Sequence, residues 1–464
     1  MASPAVASNN YGLRSNALSP METLAQSVST IAPTTTPVVT IPLVCALAGN
    51  GTWLAYLLAT TAILLVAVCI SHYARHSASP GSLYTYVTMT LPPPLSAIAA
   101  WSLLLAYIAT GSSVIGGFYH YANLLLHDAS GHVTSAAMLA VIVTAISMAI
   151  AWRDVKVSAR LMLWIEAVSV TLIVILVALV LLRHGAHLDR IQLHLSGVTG
   201  SGLRLGLVLA LFSFVGFESA TTLGSEARNP LTTIPRAVIQ SAVLAGAFFI
   251  ICSYTEVLGF RAVGQNLGES QAPMRVLARV AGAPVLALLI DIGAVISLFA
   301  CTLSCITAAA RVLLLMSHNG LTHGGLRKTH SRFETPGPAI LVTGIAAVAP
   351  AAILAARGAS GFDVYGWLGS LATYGFIVAY ALASFALPRY LKDHGVAGSV
   401  PRVLPAAARP PILERLPATS AVSGVPEAAV NVPLRVHPAR VCVIQPPFRN
   451  MPCTPTGEER RKVV

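Results

Sequence analysis

The 464 residues predict an all-α protein that crosses a membrane many times. Three observations carry that reading. Hydrophobic residues make up 55% of the chain against 10% charged, the mean hydropathy is +0.73, and long apolar runs recur from end to end. A soluble globule has about a quarter of its residues charged and too little interior to bury this much apolar surface. A transmembrane helix needs about 20 consecutive apolar residues. Windows of that length locate about ten spans. They lie near residues 23–48, 52–75, 84–117, 134–152, 157–182, 203–224, 234–259, 284–316, 338–356 and 364–388.

Residues 1–21 read as a cytoplasmic tail without the short apolar core and cleavage site of a signal peptide, so the first span is expected to be retained. That span is interrupted at Ile31-Ala32-Pro33-Thr34-Thr35-Thr36-Pro37. Two prolines remove backbone donors there, and three threonines offer hydroxyls in exchange. The third span is entered through SPGSLYTYV at 79–87 and carries Trp101 and Tyr107; the fifth carries Glu166. The sixth breaks at Ser213-Phe214-Val215-Gly216-Phe217-Glu218-Ser219, which sets a carboxylate beside aromatics at membrane depth. An ionisable group there costs roughly 2.5 kcal/mol or more and usually faces a cavity or pathway. Glu256 in the seventh span and Asp291 in the eighth fall near the outer face. Ser297, Thr302 and Ser304 supply hydroxyls of the kind that ligate sodium, although such residues also pack ordinary helix interfaces. Trp101, Tyr107, Phe217, Trp367 and Tyr374 are candidates for pocket walls or gates, with interfacial anchoring as the alternative for any transmembrane aromatic.

Each interruption also has a plainer reading, since prolines kink many membrane helices and glycines pack many others. Their pairing in spans one and six, five spans apart, is the pattern of a transporter site between inverted repeats. A broken helix exposes N–H groups with partial positive charge on one half and carbonyls with partial negative charge on the other. A zwitterion has matching ends. The candidate binding residues are Ile31, Ala32, Thr34, Thr35 and Thr36 from the first break, and Phe214, Gly216, Phe217 and Ser219 from the sixth. Donors near Thr34–Thr36 suit a carboxylate, and carbonyls near Ile31 and Phe214–Phe217 suit an ammonium. Glu218 and Glu166 are the candidates for proton coupling.

Other classes find little support. Cys45, Cys69, Cys252, Cys301, Cys305, Cys442 and Cys453 show no metal-site or disulfide spacing, and no nucleophile constellation points to an enzyme or a cofactor. The net charge of +12 is scattered over loops and tail, so nucleic acid is not an expected partner. Before residue 401, Arg14, Arg75, Arg153, Lys156, Arg160, Arg228, Arg236, Arg311, Arg327, Lys328, Arg332, Arg389 and Lys392 fall on the side of the N-terminus and outnumber Arg183, Arg190, Arg204, Arg261, Arg275, Arg279 and Arg357 opposite, which favours a cytoplasmic N-terminus.

The run GFESATTLGSEARNPLTTIPRAV resembles the sixth span and following loop of the amino acid-polyamine-organocation (APC) superfamily. SPGSLYTYV, the first-span break, Ser158-Ala159-Arg160 and the eighth-span ending TAAARVLLLMSHNG fit the same pattern, over about residues 20–390. The resemblance implies a five-plus-five inverted-repeat fold with broken helices one and six, substrate contacts from both breaks, and secondary transport of amino acids or related amines. The first break departs from the commoner Gly-Ser-Gly type. Glu166 aligns near a position where some relatives carry a lysine in place of a bound sodium ion. The family usually adds two spans after PRYLKDHG at 388–395, whereas residues 401–464 are rich in Pro, Ala and Arg and hold no apolar run of about 17 residues. The expected organisation is therefore a membrane core over 22–395 and a disordered basic tail over 396–464. The resulting expectation is a proton-coupled importer in the plasma (inner) membrane, with a small-molecule substrate, H+ and lipid as partners. A truncated inactive relative or a solute sensor that does not transport would share these features.

Overall fold

Prolines and glycines punctuate the chain, and helices fill the intervals between them. The computed structural model describes residues 11–153, 155–183 and 189–393, without the side chains of 155–163 and 165. The expected tail from 396, the side chains of Ser158 and Arg160, and residues 1–10 lie outside the described residues.

The first span begins at α1, Pro20–Ile31. Ser19 caps it reciprocally with Glu22: the Glu22 N–H donates to Ser19 Oγ at 3.3 Å and the Ser19 N–H donates to Glu22 Oε2 at 2.8 Å. A break follows, then a π-helical turn at Thr36–Thr40 and α2, Ile41–Ala48. The chain reverses at Gly49, whose φ of 53° and ψ of −124° suit glycine, and returns as α3, Thr52–Ala74. A short helix α4, Ser82–Thr88, precedes α5, Pro93–Ser130. The order continues with α6, Ala136–Arg153; α7, Val155–Arg183; α8, Arg190–Leu193; and α9, Gly200–Phe212. After a second break and a 3-10 segment at Ser219–Leu223 come α10, Pro230–Ala262; α11, Pro273–Val280; α12, Pro284–His318; α13, Gly337–Ala356; and α14, Gly361–Asp393. Among the described residues there is no strand, only one parallel backbone bridge between Leu18 and Ala227.

Eight of the described helical stretches are long and apolar enough to cross a bilayer. One of them, Pro20–Ala74, has 55 residues and turns back at Gly49–Gly51, so it crosses twice. The shorter α9, continued through the break to Leu223, completes ten spans. The third span differs from its expected start near 84. Pro92 holds an extended backbone (φ −63°, ψ 157°), and Pro93 can only open a new helix, so SPGSLYTYV becomes the separate helix α4 at the membrane edge. Freed from that start, α5 runs 38 residues, roughly 57 Å, enough to cross obliquely and project beyond the hydrocarbon.

Packing follows the doubled plan. Span two packs on seven (α3 on α10), three on eight (α5 on α12) and four on nine (α6 on α13), while α1 meets the 3-10 segment of span six. Spans one to four thus each meet the counterpart five places later, in keeping with a five-plus-five arrangement. The lipid-facing stripes are apolar: Ile98, Trp101 and Leu105 on α5, and Trp367, Leu371, Tyr374 and Val378 on α14, are all exposed.

Candidate functional site

At the first break the chain leaves the helix only over Ala32–Thr34, a shorter interval than the expected 31–37. Ala32 takes a left-handed conformation (φ 48°, ψ 65°), and its carbonyl accepts both the N–H (2.8 Å) and the hydroxyl (2.7 Å) of Thr35. Pro33 and Pro37 fit because each lies where a helical donor would be unpaired. Thr36 and Pro37 belong to the π turn, in which the Ile41 N–H reaches back to the Thr36 carbonyl. Thr34 Oγ1 donates to Glu166 Oε2 on α7 at 3.0 Å, and Ser297 on α12 donates to Glu166 Oε1. Glu166 therefore ties the first break to spans five and eight. The donors of Thr34 and Thr35 are turned inward to Glu166 and Ala32, so they are not free for a ligand carboxylate in this arrangement.

At the sixth break, 213–218 form successive turns before the 3-10 segment. Gly216 has φ +94°, and a Cβ there would lie 2.1 Å from Thr30 Cγ2, so both backbone and space demand glycine. Ser27 stitches the spans together, donating to the Phe217 carbonyl at 2.7 Å and accepting from the Ala220 N–H at 3.1 Å. Thr30 Oγ1 lies 2.8 Å from Ser219 Oγ and 2.5 Å from Ser304 Oγ. The Phe217 carbonyl also accepts from Ser241 at 3.2 Å.

Glu218 is fully buried in this break. Tyr107 of α5 donates to Oε1 at 2.7 Å and Tyr380 of α14 donates to Oε2 at 2.8 Å. Phe217 packs on the Tyr380 ring (5.5 Å between centroids) and Phe376 stands edge-on to Tyr107 (5.1 Å). Every residue of 31–40 and 212–220 is buried, so the two breaks face each other in an enclosed region.

Ile31, Ala32, Thr34, Thr35, Thr36, Phe214, Gly216, Phe217, Glu218, Ser219, Glu166 and Tyr107 all belong to this region. Trp101 and Tyr374 do not. They are 51% and 55% exposed on the outer stripes of α5 and α14, because each sits on the helix face opposite the small residues that pack inward. Trp367 lies outward likewise. Phe214 turns its ring toward Phe249 of α10 rather than the opposite break (5.2 Å). Tyr380, Ser27 and Thr30 were not anticipated. For Tyr380 a signal existed: Gly369, Ala372, Phe376, Ala379 and Ala383 mark a buried face, and Tyr380 lies along it.

The bundle end that carries the N-terminus is tightly closed. Leu13 and Leu18 are fully buried, and Leu18 pairs with the loop after the sixth break through Leu18 N–H to Glu226 O (3.0 Å) and Arg228 N–H to Leu18 O (2.8 Å). The segment read as a tail is thus docked from residue 11 onward. Beneath it Arg311 of α12 grips Glu226 bidentately (2.6 and 2.9 Å), both side chains buried, a geometry that offsets part of their desolvation. At the opposite end Arg261 bridges Asp189 at 2.6 Å and contacts Asn50. A cavity of about 380 Å³ opens there, lined among others by Cys45, Asn50, Val257, Phe260 and Arg261.

Comparison with known proteins agrees with this geometry. The sequence profile of the amino acid permease family matches residues 23–410. The chain is 25% identical over 362 residues to a methylthioribose transporter of Bacillus subtilis, with 75% of each chain covered. It is 27% identical over 309 residues to the branched-chain amino acid permease BcaP of the same organism, covering 62% of this chain and 64% of the relative. An uncharacterized transporter of Mycobacterium tuberculosis is 29% identical over 399 residues, with 83% and 84% covered. The solved structure of MhsT in complex with L-phenylalanine superposes with a TM-score of 0.57 at 15% identity, covering 82% of this chain and 90% of that one, a likeness of fold alone. With paired breaks in a doubled five-span bundle and a family match over most of its length, the chain belongs to the amino acid permease family, and is a multi-pass membrane protein that moves a small solute and is not an enzyme.

Proposed function

We propose that the chain carries amino acids or related amines across the plasma (inner) membrane, coupled to protons, with its N-terminus in the cytoplasm. The observation that carries this reading is the enclosed pairing of two helix breaks around a buried carboxylate, Glu218, held by two phenols. Broken-helix ends offer opposite partial charges to a zwitterion. Because Thr34 and Thr35 already spend their donors within the protein, substrate entry exchanges those internal bonds for bonds to its carboxylate, and Glu166 or Glu218 accepts a proton as the site rearranges. The name of BcaP supports branched-chain amino acids as first candidates. That of the methylthioribose transporter supports an uncharged thiosugar as a second class.

The test is uptake into proteoliposomes of the purified full chain. Labelled leucine is expected to accumulate when the outside is acidified and to stop when a protonophore collapses the gradient, with excess methylthioribose as competitor. Uptake indifferent to the gradient removes proton coupling. Binding without uptake marks a sensor, and neither binding nor uptake an inactive relative.

A further inference from the structure

Glu256 lies on α10, roughly 9 Å of helix rise before the end at Ala262. It is fully buried, and neither carboxylate oxygen has a hydrogen-bond partner. A charged carboxylate left this way in a membrane protein is strongly disfavoured, since burial without a partner forfeits its hydration. Other buried carboxylates of the bundle have partners: Glu218 phenols, Glu166 hydroxyls, Glu226 Arg311 and Asp291, through one oxygen, Arg275. Val257 and Phe260, one residue and one turn onward, line the 380 Å³ cavity, and so does Cys45 of α2.

Its surroundings join it to both breaks. Tyr56 of α3, which packs along α10, and Cys252 one turn earlier on α10 are within range of its charge, and Tyr121 of α5 is within range both of it and, more strongly, of Asp291. The Tyr121 hydroxyl donates to the Val38 carbonyl in the π turn at 2.7 Å, and the Tyr56 hydroxyl lies 3.1 Å from Ser213 Oγ at the start of the sixth break. Several charged groups on neighbouring elements have partners of their own. Arg261 is held by Asp189, Arg275 of α11 by Asp128 and by Asp291 of α12, Glu166 of α7 by Thr34 and Ser297, Glu269 by Asn266, and Glu22 of α1 by Ser19.

We infer that Glu256 is a proton-binding site, fed from the cavity at the end remote from the N-terminus, whose charge state governs the two tyrosine latches on the first and sixth breaks. Neutral Glu256 leaves Tyr121 on Val38 and Tyr56 on Ser213, which is the enclosed arrangement. When the proton leaves to water in the cavity, the carboxylate draws both phenol dipoles toward itself and slackens both latches together. This site rests on the transport reading above and deepens it by naming where the proton enters.

Two measurements on the full chain test it. Infrared spectra recorded through a pH titration in lipid are expected to show a protonated-carboxyl stretch that Glu256→Gln removes and Glu256→Asp shifts. In proteoliposomes, one unit of external acidification raises wild-type uptake by up to about tenfold, the change in proton concentration, whereas Glu256→Gln shows no acid stimulation. A carboxyl band unchanged in Glu256→Gln, or one removed by Glu218→Gln instead, overturns the inference, as does undiminished acid stimulation of Glu256→Gln. If the wild type takes up no labelled amino acid, the transport reading fails while the infrared arm still decides the proton site.

Discussion

At the first break the helix is interrupted at Pro33, which has no N–H to give, whereas at the sixth it is interrupted around Gly216, which retains its N–H and can return to a helix. The partners differ in the same sense. Glu166 reaches the first break from another helix and holds it through hydroxyls of Thr34 and Ser297, while Glu218 is part of the sixth break and is held from outside by two phenols. The first break is thus a fixed interruption braced by its neighbours, and the sixth a conditional one that contains its own carboxylate. Neutralising the carboxylate of the sixth should fall chiefly on transport, and neutralising that of the brace chiefly on stability.

The largest expected effect is that of Gly216→Ala. Strain at φ +94° and the collision with Thr30 each cost about 1–3 kcal/mol, so thermal unfolding should move down by several degrees and uptake should disappear. Trimming the obstruction in Gly216→Ala with Thr30→Ser should recover part of the stability; wild-type behaviour of the single variant would show that the sixth break does not need glycine.

Next comes the contrast between two conservative changes. Glu218→Gln is expected to lower uptake by more than about tenfold with a small change in unfolding midpoint, and Glu166→Gln to cost about 1–3 kcal/mol of stability with a smaller loss of uptake. Equal effects on both readouts would erase the distinction between fixed and conditional breaks. The phenol substitutions Tyr107→Phe and Tyr380→Phe should each cost about 1–1.5 kcal/mol, and a double-mutant cycle should reveal coupling, because both hydroxyls serve one carboxylate. Strict additivity would argue that each phenol acts alone.

The smallest effects belong outside the breaks. Trp101→Leu and Tyr374→Leu, on lipid-facing stripes, are expected to stay within about 0.5 kcal/mol and to leave uptake close to wild type. A large loss from either would bring these aromatics back as pocket residues.

Legibility in the sequence followed the range of the interactions. Both breaks could be read because their cause is local: prolines and a glycine act on their own backbone. So could the ten spans, since length and hydropathy are summed along one segment. The start of the third span was misplaced because apolar content ran through Thr90-Leu91-Pro92-Pro93, where backbone restriction and not hydropathy decides the boundary. The aromatics divided according to helix face. Tyr107 and Tyr374 look alike in sequence, and only the stripe of small residues beside one of them tells which turns inward. The Glu226–Arg311 pair and the Glu218–Tyr380 bond join residues 85 and 162 positions apart, and nothing local to either partner announces the other.

The wide turn at Thr36–Thr40 carries one residue more than an α-helical turn, since the Ile41 N–H bonds to Thr36 and not to Pro37. Slack of this kind is angular as well as axial. If that residue were surrendered to the gap before it, Ile41–Ala48 would swivel by about 100° about its own axis, the rotation of a single α-helical step. Cys45 and the reversal at Gly49 would swing with it, carrying one wall of the cavity at that end around while α1 stayed tied to the sixth break through Ser27. The first span is thereby built like a cam on a fixed shaft, in which a change of one residue in winding would reshape that cavity without moving α1.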